Sequence, residues 1–206
     1  DCSSLTVPPA AVIVNSSGAH VPGAFPRITG PVSQIVADGL GGYLLVGDFT
    51  SVGGQPFARF ARVAPDRTVD PRYRVVADGP IYQLALAHGR IYLAGEFRTL
   101  NGAARHGLAA LDAATGRMSA FGHGFNPEGR RVTQLSVSSI GIYVAGQSRL
   151  WGFNASTWAL VFERDVWVNT IAATSARVYV GGYGYERPVW AVDPFTGQDT
   201  AWQIGL

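Results

Sequence analysis

The chain has 206 residues, among them 26 glycines and 12 prolines, and this length allows a substantial buried core in one or two domains. The formal net charge is only +2, and the 16 cationic residues are all arginines scattered along the chain, which argues against a basic groove for nucleic acid. No stretch approaches the roughly 20 apolar residues that span a bilayer.

The chain repeats itself. Residues 44–54 return as residues 92–102, and shortened forms follow at residues 143–146 and 179–182. The glycines that close these strands stand at positions 47, 95, 146 and 182, so the spacings are 48, 51 and 36 residues. Repeats of this size, filled with short strands, predict the blades of a β-propeller.

The first residues carry few signals. Residues 1–10 form a Ser/Pro-rich lead that contains Cys2, the single cysteine of the chain. An odd cysteine is a candidate for an intermolecular disulfide, and a free thiol in a flexible tail is the alternative. Residues 11–30 match only the second half of a repeat and predict an N-terminal half-blade.

Four whole blades are predicted to follow, each with four strands, at about residues 31–75, 76–126, 127–164 and 165–206. The predicted fold is therefore all-β, a single propeller-type repeat domain over residues 11–206. A half-blade leaves strand edges unpaired, and such edges invite association. Either a longer native chain completes it, which we favour, or a second copy does.

In the second blade, strands are predicted at residues 81–87, 90–97, 107–112 and 117–121. The Asp-x-x-Thr-Gly sequence at residues 112–116, repeated at residues 193–197, predicts a hairpin turn. The Asp side chain can accept backbone N–H bonds and the glycine tolerates positive φ. An aromatic residue follows each turn, Phe121 and Trp202, and we expect each to anchor packing between blades.

The repeat around residues 41–73 resembles the bacterial "delta-sixty" β-propeller repeat family. The resemblance rests on Val46-Gly47-Asp48-Phe49, on Gly53-Gly54 and on residues 59–70, with a second match at residues 95–112. The third and fourth repeats lack the Phe-x-x-hydrophobic-x-Gly turn. The resemblance implies a secreted or surface-associated protein and implies no specific activity.

Candidate catalytic residues do not emerge from the sequence. The four histidines have no metal-ligand spacing, no dense Asp loop suggests calcium, and neither a Gly-x-Ser-x-Gly elbow nor a phosphate loop is present. We interpret Asp66, Asp70, Asp112 and Asp193 as turn caps. The Asp-x-x-Thr-Gly pattern also resembles the tryptophan-docking repeat of quinoprotein dehydrogenases. In the quinoprotein repeat, however, the aromatic residue follows the glycine one position earlier than Phe121 and Trp202 do here, and this chain has no cysteine pair to build a quinone pocket. The sequence therefore predicts no cofactor and no metal.

One local excess is aromatic, in the third and fourth blades. The candidate residues for binding a ligand or partner are Trp167, Tyr183, Tyr185, Arg187 and Trp190. Exposed aromatic faces bind sugars or proteins, whereas buried aromatics between blades would explain the same residues without a ligand. Both interpretations stay open at this point.

The sequence thus favours a non-catalytic, secreted or cell-surface module for assembly or adhesion, from a bacterium with GC-rich codon usage. Its partners would be other protein subunits or further domains of a longer chain, not nucleic acid. A carbohydrate-binding propeller is the alternative. An enzyme, either quinoprotein-like or hydrolytic with its site on the propeller axis, is the third interpretation.

Overall fold

The computed structural model describes residues 25–127, 131–146, 148–182 and 189–203. It divides into two compact units between Val76 and Ala77. Cys2, the lead and residues 11–24 of the predicted half-blade lie outside the described residues.

The described part of the first unit, residues 25–76, contains one blade. Its strands are β1 (Ile28–Thr29), β2 (Val32–Ala37), β3 (Tyr43–Gly47), β4 (Ser51–Val52) and β5 (Phe60–Val63). The main sheet has the antiparallel order β2-β3-β5, and β1 pairs with β4 beside it. Alternating apolar side chains of β3 and β5, including the fully buried Leu45 and Ala61, form the core on one face of the sheet.

The predicted fourth strand of this blade, residues 69–73, is different in the structure. Val69 makes only an isolated bridge to Val63, and Pro71–Tyr73 forms a short 3-10 helix. Pro71 lacks the N–H that a ladder needs, and the Asp70 side chain accepts a 3.1 Å hydrogen bond from Arg72 N. The cap and the proline together favour the helical turn over the strand.

The residues of the second unit that the structure describes form three blades. The strands of its first blade are β6 (Ile81–Ala87), β7 (Arg90–Gly95), β8 (Thr99–Leu100), β9 (Ala103–Ala104) and β10 (Leu108–Asp112). Those of the next blade are β11 (Gln134–Val137), β12 (Gly141–Gly146), β13 (Arg149–Asn154) and β14 (Leu160–Asp165). Those of the last are β15 (Thr170–Ala173), β16 (Val178–Gly181), β17 (Val189–Val192) and β18 (Asp199–Gln203).

The last two blades have four antiparallel strands in chain order, as predicted. The main sheet of the first has three, in the order β10-β7-β6, and its predicted fourth strand is reduced to a bridge between Leu111 and Met118. The chain leaves the ladder at Gly122, which has a φ of 80° and approaches the Leu108 carbonyl so closely that a Cβ would lie 2.1 Å from its oxygen.

Neighbouring blades of the second unit share hydrophobic cores. Tyr92 and Phe121 pack with Trp151 of the next blade, and Tyr143 of that blade packs in turn with Trp190 of the last. Phe121 is 2% exposed, and its ring meets that of Tyr92 edge-on at 5.3 Å. The prediction that Phe121 anchors packing between blades is confirmed.

The predicted Asp-x-x-Thr-Gly turns are also confirmed. Asp112 Oδ1 accepts hydrogen bonds from Thr115 N and Thr115 Oγ1 at 2.9 and 2.8 Å, and Asp193 does the same for Thr196 at 2.8 and 3.0 Å. In the blade between them Asn154 caps the equivalent turn. Trp158 there adopts a φ of 62°, a conformation that glycine fills in the other two turns.

Candidate binding surface at the loop end of the second unit

The connections between the blades of the second unit return to the end of the sheets at which β7, β12 and β16 finish. Val132 N donates to Gly95 O at 3.3 Å, Val166 N to Ser148 O at 3.1 Å, and Asn169 N to Gly181 O at 2.7 Å. We call this end of the second unit the loop end. Turns such as residues 113–116 and 193–198 lie at the opposite end, because each strand reverses the direction of the one before it.

The repeated glycines make the loop end compact. A Cβ at Gly95 would lie 2.2 Å from Pro80 O, and one at Gly146 would lie 2.3 Å from Arg131 O. A side chain at either position would force the backbone to shift, so glycine is what allows the start of one strand and the end of its neighbour to meet this closely. The repeated glycines of the sequence, such as Gly95 and Gly146, therefore mark positions at which two backbone segments lie close together at the loop end.

A small cleft opens at the loop end beside the first of these blades. Its volume is about 150 Å³, and it is lined by the polar residues Glu96, Arg98, His106 and Asn126 together with Gly95, Phe97, Gly107 and Pro127. Glu96, Arg98 and His106 are exposed, whereas Phe97 is 1% exposed and anchors the loop in the core. The exposed polar residues Glu96 and Arg98 thus flank a buried phenylalanine that anchors their segment to the core.

Glu96 is held by two partners. The Tyr82 hydroxyl donates a 2.7 Å hydrogen bond to Glu96 Oε2, and Arg131 Nε lies 3.0 Å from Glu96 Oε1. Burial raises the pKa of Tyr82, and the hydrogen bond to Glu96 raises it further, so the phenol stays a proton donor. The carboxylate is therefore positioned and its charge is offset by Arg131.

Arg98 is positioned through its backbone. Asp78 Oδ1 accepts hydrogen bonds from Arg98 N at 2.8 Å and from Thr99 N at 2.9 Å. Burial alone would raise the pKa of Asp78, but these hydrogen bonds outweigh it and lower the pKa, which keeps the carboxylate charged. In the described part of the chain the Arg98 guanidinium forms no ion pair.

The structure separates the residues of the predicted aromatic patch. Trp167 lies on the connection before β15, at the loop end, and is 62% exposed. Trp190 is 6% exposed and packs in the core with Tyr143 and Phe162. Because its ring is buried, Trp190 offers no face to a ligand, and the packing interpretation applies to it. Tyr183, Tyr185 and Arg187 lie outside the described residues.

Sequence reasoning did not single out the cleft. Glu96 and Arg98 lie within the repeated segment of the sequence. Their neighbours Gly95 and Phe97 are part of the pattern that predicts the blades, and that pattern indicates structure and not binding. One available signal was the acidic residue at the same position in two repeats, Asp48 and Glu96. In the first unit Asp48 faces Arg59 at 3.6 Å, so this position pairs with a cation in both units.

No three His, Cys, Asp or Glu side chains come together as a metal site among the residues that the structure covers. Within the same residues no helix is long and apolar enough to cross a bilayer.

No family model and no curated protein sequence matches this chain. Solved structures do. The chain is similar to Sqt1 of Saccharomyces cerevisiae at 11% identity with a TM-score of 0.62, over 92% of this chain and 54% of that one. It is similar to the extracellular domain of a hybrid two-component system, BT4673, of B. thetaiotaomicron at 11% identity with a TM-score of 0.57, over 92% and 22%. It is also similar to the Pan2 WD40 domain of Neurospora crassa at 16% identity with a TM-score of 0.52, over 84% and 50%.

The fold is of the β-propeller type. The propeller prediction is thus confirmed. The chain spans about half or less of the length of these three structures. Identities this low establish the fold alone, and these propellers range from an extracellular domain to a WD40 domain.

Proposed function

We propose that this chain is a non-catalytic interaction module, secreted or displayed at the cell surface, that binds a protein partner through the loop end of its second unit. The observation that carries this proposal is the cleft at Glu96 and Arg98. At about 150 Å³ it is smaller than the roughly 300–1,000 Å³ of sites that enclose a small molecule. A cleft of this size suits one side chain of a larger partner.

The rest of the loop end supports the same role. Trp167 is 62% exposed, and tryptophan and arginine are the residue types that most often dominate protein interfaces. The sheets below are tightly packed, with Tyr92, Val144 and Leu150 at 0% exposure, so the loops stand on a rigid base. The resemblance to the delta-sixty repeats supports an extracellular location.

Site-specific photocrosslinking tests the proposal. A photoreactive phenylalanine analogue replaces Trp167 in one variant and Phe195 in another, and each is irradiated with the surface fraction of the source cells. Phe195 is the matched control because it is 56% exposed but lies in the turn at the opposite end of the sheets. We expect a discrete adduct from position 167 only. Equal adducts from both positions, or none from either, would contradict binding at the loop end.

A further inference from the structure

We infer that the cleft at Glu96 and Arg98 binds a carboxylate group presented by an acidic segment of the partner protein. This inference rests on the proposed function and adds the chemistry of the partner. Its first support is Arg98, an exposed residue that lines the cleft and has no ion-pair partner in the described part of the chain. A guanidinium offers a planar fork of N–H donors that matches the two oxygens of a carboxylate.

The acid in the cleft does not cancel this attraction. Glu96 already interacts with Arg131 and with the Tyr82 hydroxyl, at 3.0 and 2.7 Å. Among the described residues, the negative charge of Glu96 is thus already offset by Arg131, and Arg98 contributes to the cleft lining a positive charge that no described carboxylate offsets. One carboxylate balances that charge, whereas a phosphate dianion brings more negative charge than the described groups compensate.

The surroundings fit a carboxylate at the end of a side chain. Asp78 fixes the backbone at Arg98, so this part of the backbone is already ordered when the guanidinium binds. His106 also lines the cleft, and an imidazole can donate to a second anion oxygen. The volume of about 150 Å³ suits the end of a single side chain and lies below the roughly 300–1,000 Å³ of pockets that enclose small molecules.

Peptide binding tests the inference. The probes are a fluorescein-labelled peptide of alternating aspartate and glycine, its asparagine counterpart and its phosphoserine counterpart, measured by fluorescence anisotropy on the whole chain at low salt. We expect the aspartate peptide to bind and the asparagine peptide to bind at least about tenfold more weakly, as charged hydrogen bonds predict. Equal binding of the two peptides, or tighter binding of the phosphoserine peptide, would overturn the inference.

Matched variants locate the site. Arg98→Ala removes the guanidinium group that we expect to bind the carboxylate. Arg117→Ala removes an exposed arginine from the opposite end of the same blade. We expect Arg98→Ala to weaken the aspartate peptide about tenfold or more and Arg117→Ala to weaken it less than about twofold. Similar losses in both variants would mean non-specific charge attraction and would overturn the site. Arg98→Lys keeps the charge without the fork, so we expect an intermediate loss.

The two proposals fail in different ways. A crosslinked adduct at position 167 without a preference for the aspartate peptide would support the interaction module. The same result would contradict carboxylate binding in the cleft. Circular dichroism of each variant confirms that it is folded before its affinity is compared.

Discussion

Gln83 and Leu135 join two neighbouring blades: Gln83 Oε1 accepts a 2.7 Å hydrogen bond from Leu135 N. Leu135 lies on β11, an edge strand of its sheet, so this N–H points away from the ladder. Ser136 repeats the device one blade later, because its Oγ accepts a 2.9 Å hydrogen bond from Ala173 N. A side chain on β6 and one on β11 therefore each satisfy a backbone donor on the first strand of the next blade.

Replacing Gln83 with leucine should destabilise the protein. The substitution keeps the size of the side chain but leaves the Leu135 N–H without its acceptor, which costs about 1–3 kcal/mol in a partly buried site. Urea denaturation followed by circular dichroism measures the loss, with Gln55→Leu in an exposed turn as the control. Equal midpoints for the two variants would show that the hydrogen bond contributes nothing.

The protonation of Asp70 should make the first unit less stable at acidic pH. Arg72 and, next, Arg62 hydrogen bond to its carboxylate, and against the opposing effect of burial they lower its pKa to about 2. In the unfolded chain the pKa is about 3.9, so the carboxylate contributes about 2 kcal/mol above that pH. This contribution should be lost as the pH falls from about 4 to about 2, which denaturant midpoints measured across that range will show.

The Asp70→Asn variant checks the origin of this effect. We expect a loss of about 3 kcal/mol at neutral pH, because Arg62, at 7% exposure, loses one of its two carboxylate partners. The dependence on pH between about 4 and 2 should flatten. Asp48→Asn is the control, since the Asp48 side chain is 71% exposed. An unchanged pH profile in Asp70→Asn would assign the effect to other carboxylates.

Gly95→Ala should be more damaging than Gly89→Ala, although only Gly89 has a positive φ, of 67°. A Cβ at Gly95 would lie 2.2 Å from Pro80 O, whereas nothing lies within 4 Å of one at Gly89. We expect a loss of about 3 kcal/mol or more at position 95 and about 1 kcal/mol at position 89. Thermal unfolding of the two variants compares them, and the reverse order would mean that crowding is relieved by a small backbone shift.

The tryptophans at positions 167 and 190 should separate binding from folding. Trp190→Ala removes a ring that is 6% exposed in the core and should cost about 3–5 kcal/mol. Trp167→Ala changes a side chain that is 62% exposed, so stability should change by less than about 0.5 kcal/mol. Chemical denaturation of both variants, monitored by circular dichroism, gives the two values. A large loss at position 167 would identify it as a packing residue.

The sequence predicted those features of the fold that depend on neighbouring residues. Strand β6 (Ile81–Ala87) has the predicted bounds, because apolar residues and turn-forming glycines are local signals. The turn at Asp112 was predictable for the same reason, since the capping side chain and the N–H groups it binds lie within four residues of each other. Where a local cap competed with the repeat pattern, as at Asp70 and Pro71, the strand prediction was wrong.

Only the tertiary structure decided which side chains meet. Trp167 lies on the connection before β15, and Trp190 lies on β17. Both are tryptophans, and nothing in their local sequence shows that one is exposed and the other buried. Burial depends on the neighbouring blade, which supplies Tyr143 and Phe162 from a distant part of the chain. The cleft arises in the same way, because Glu96 meets Arg131, from the connection that leads into the next blade, only when the two blades pack together. Repetition in the sequence determined the scaffold, and the packing of one blade on the next determined its surface.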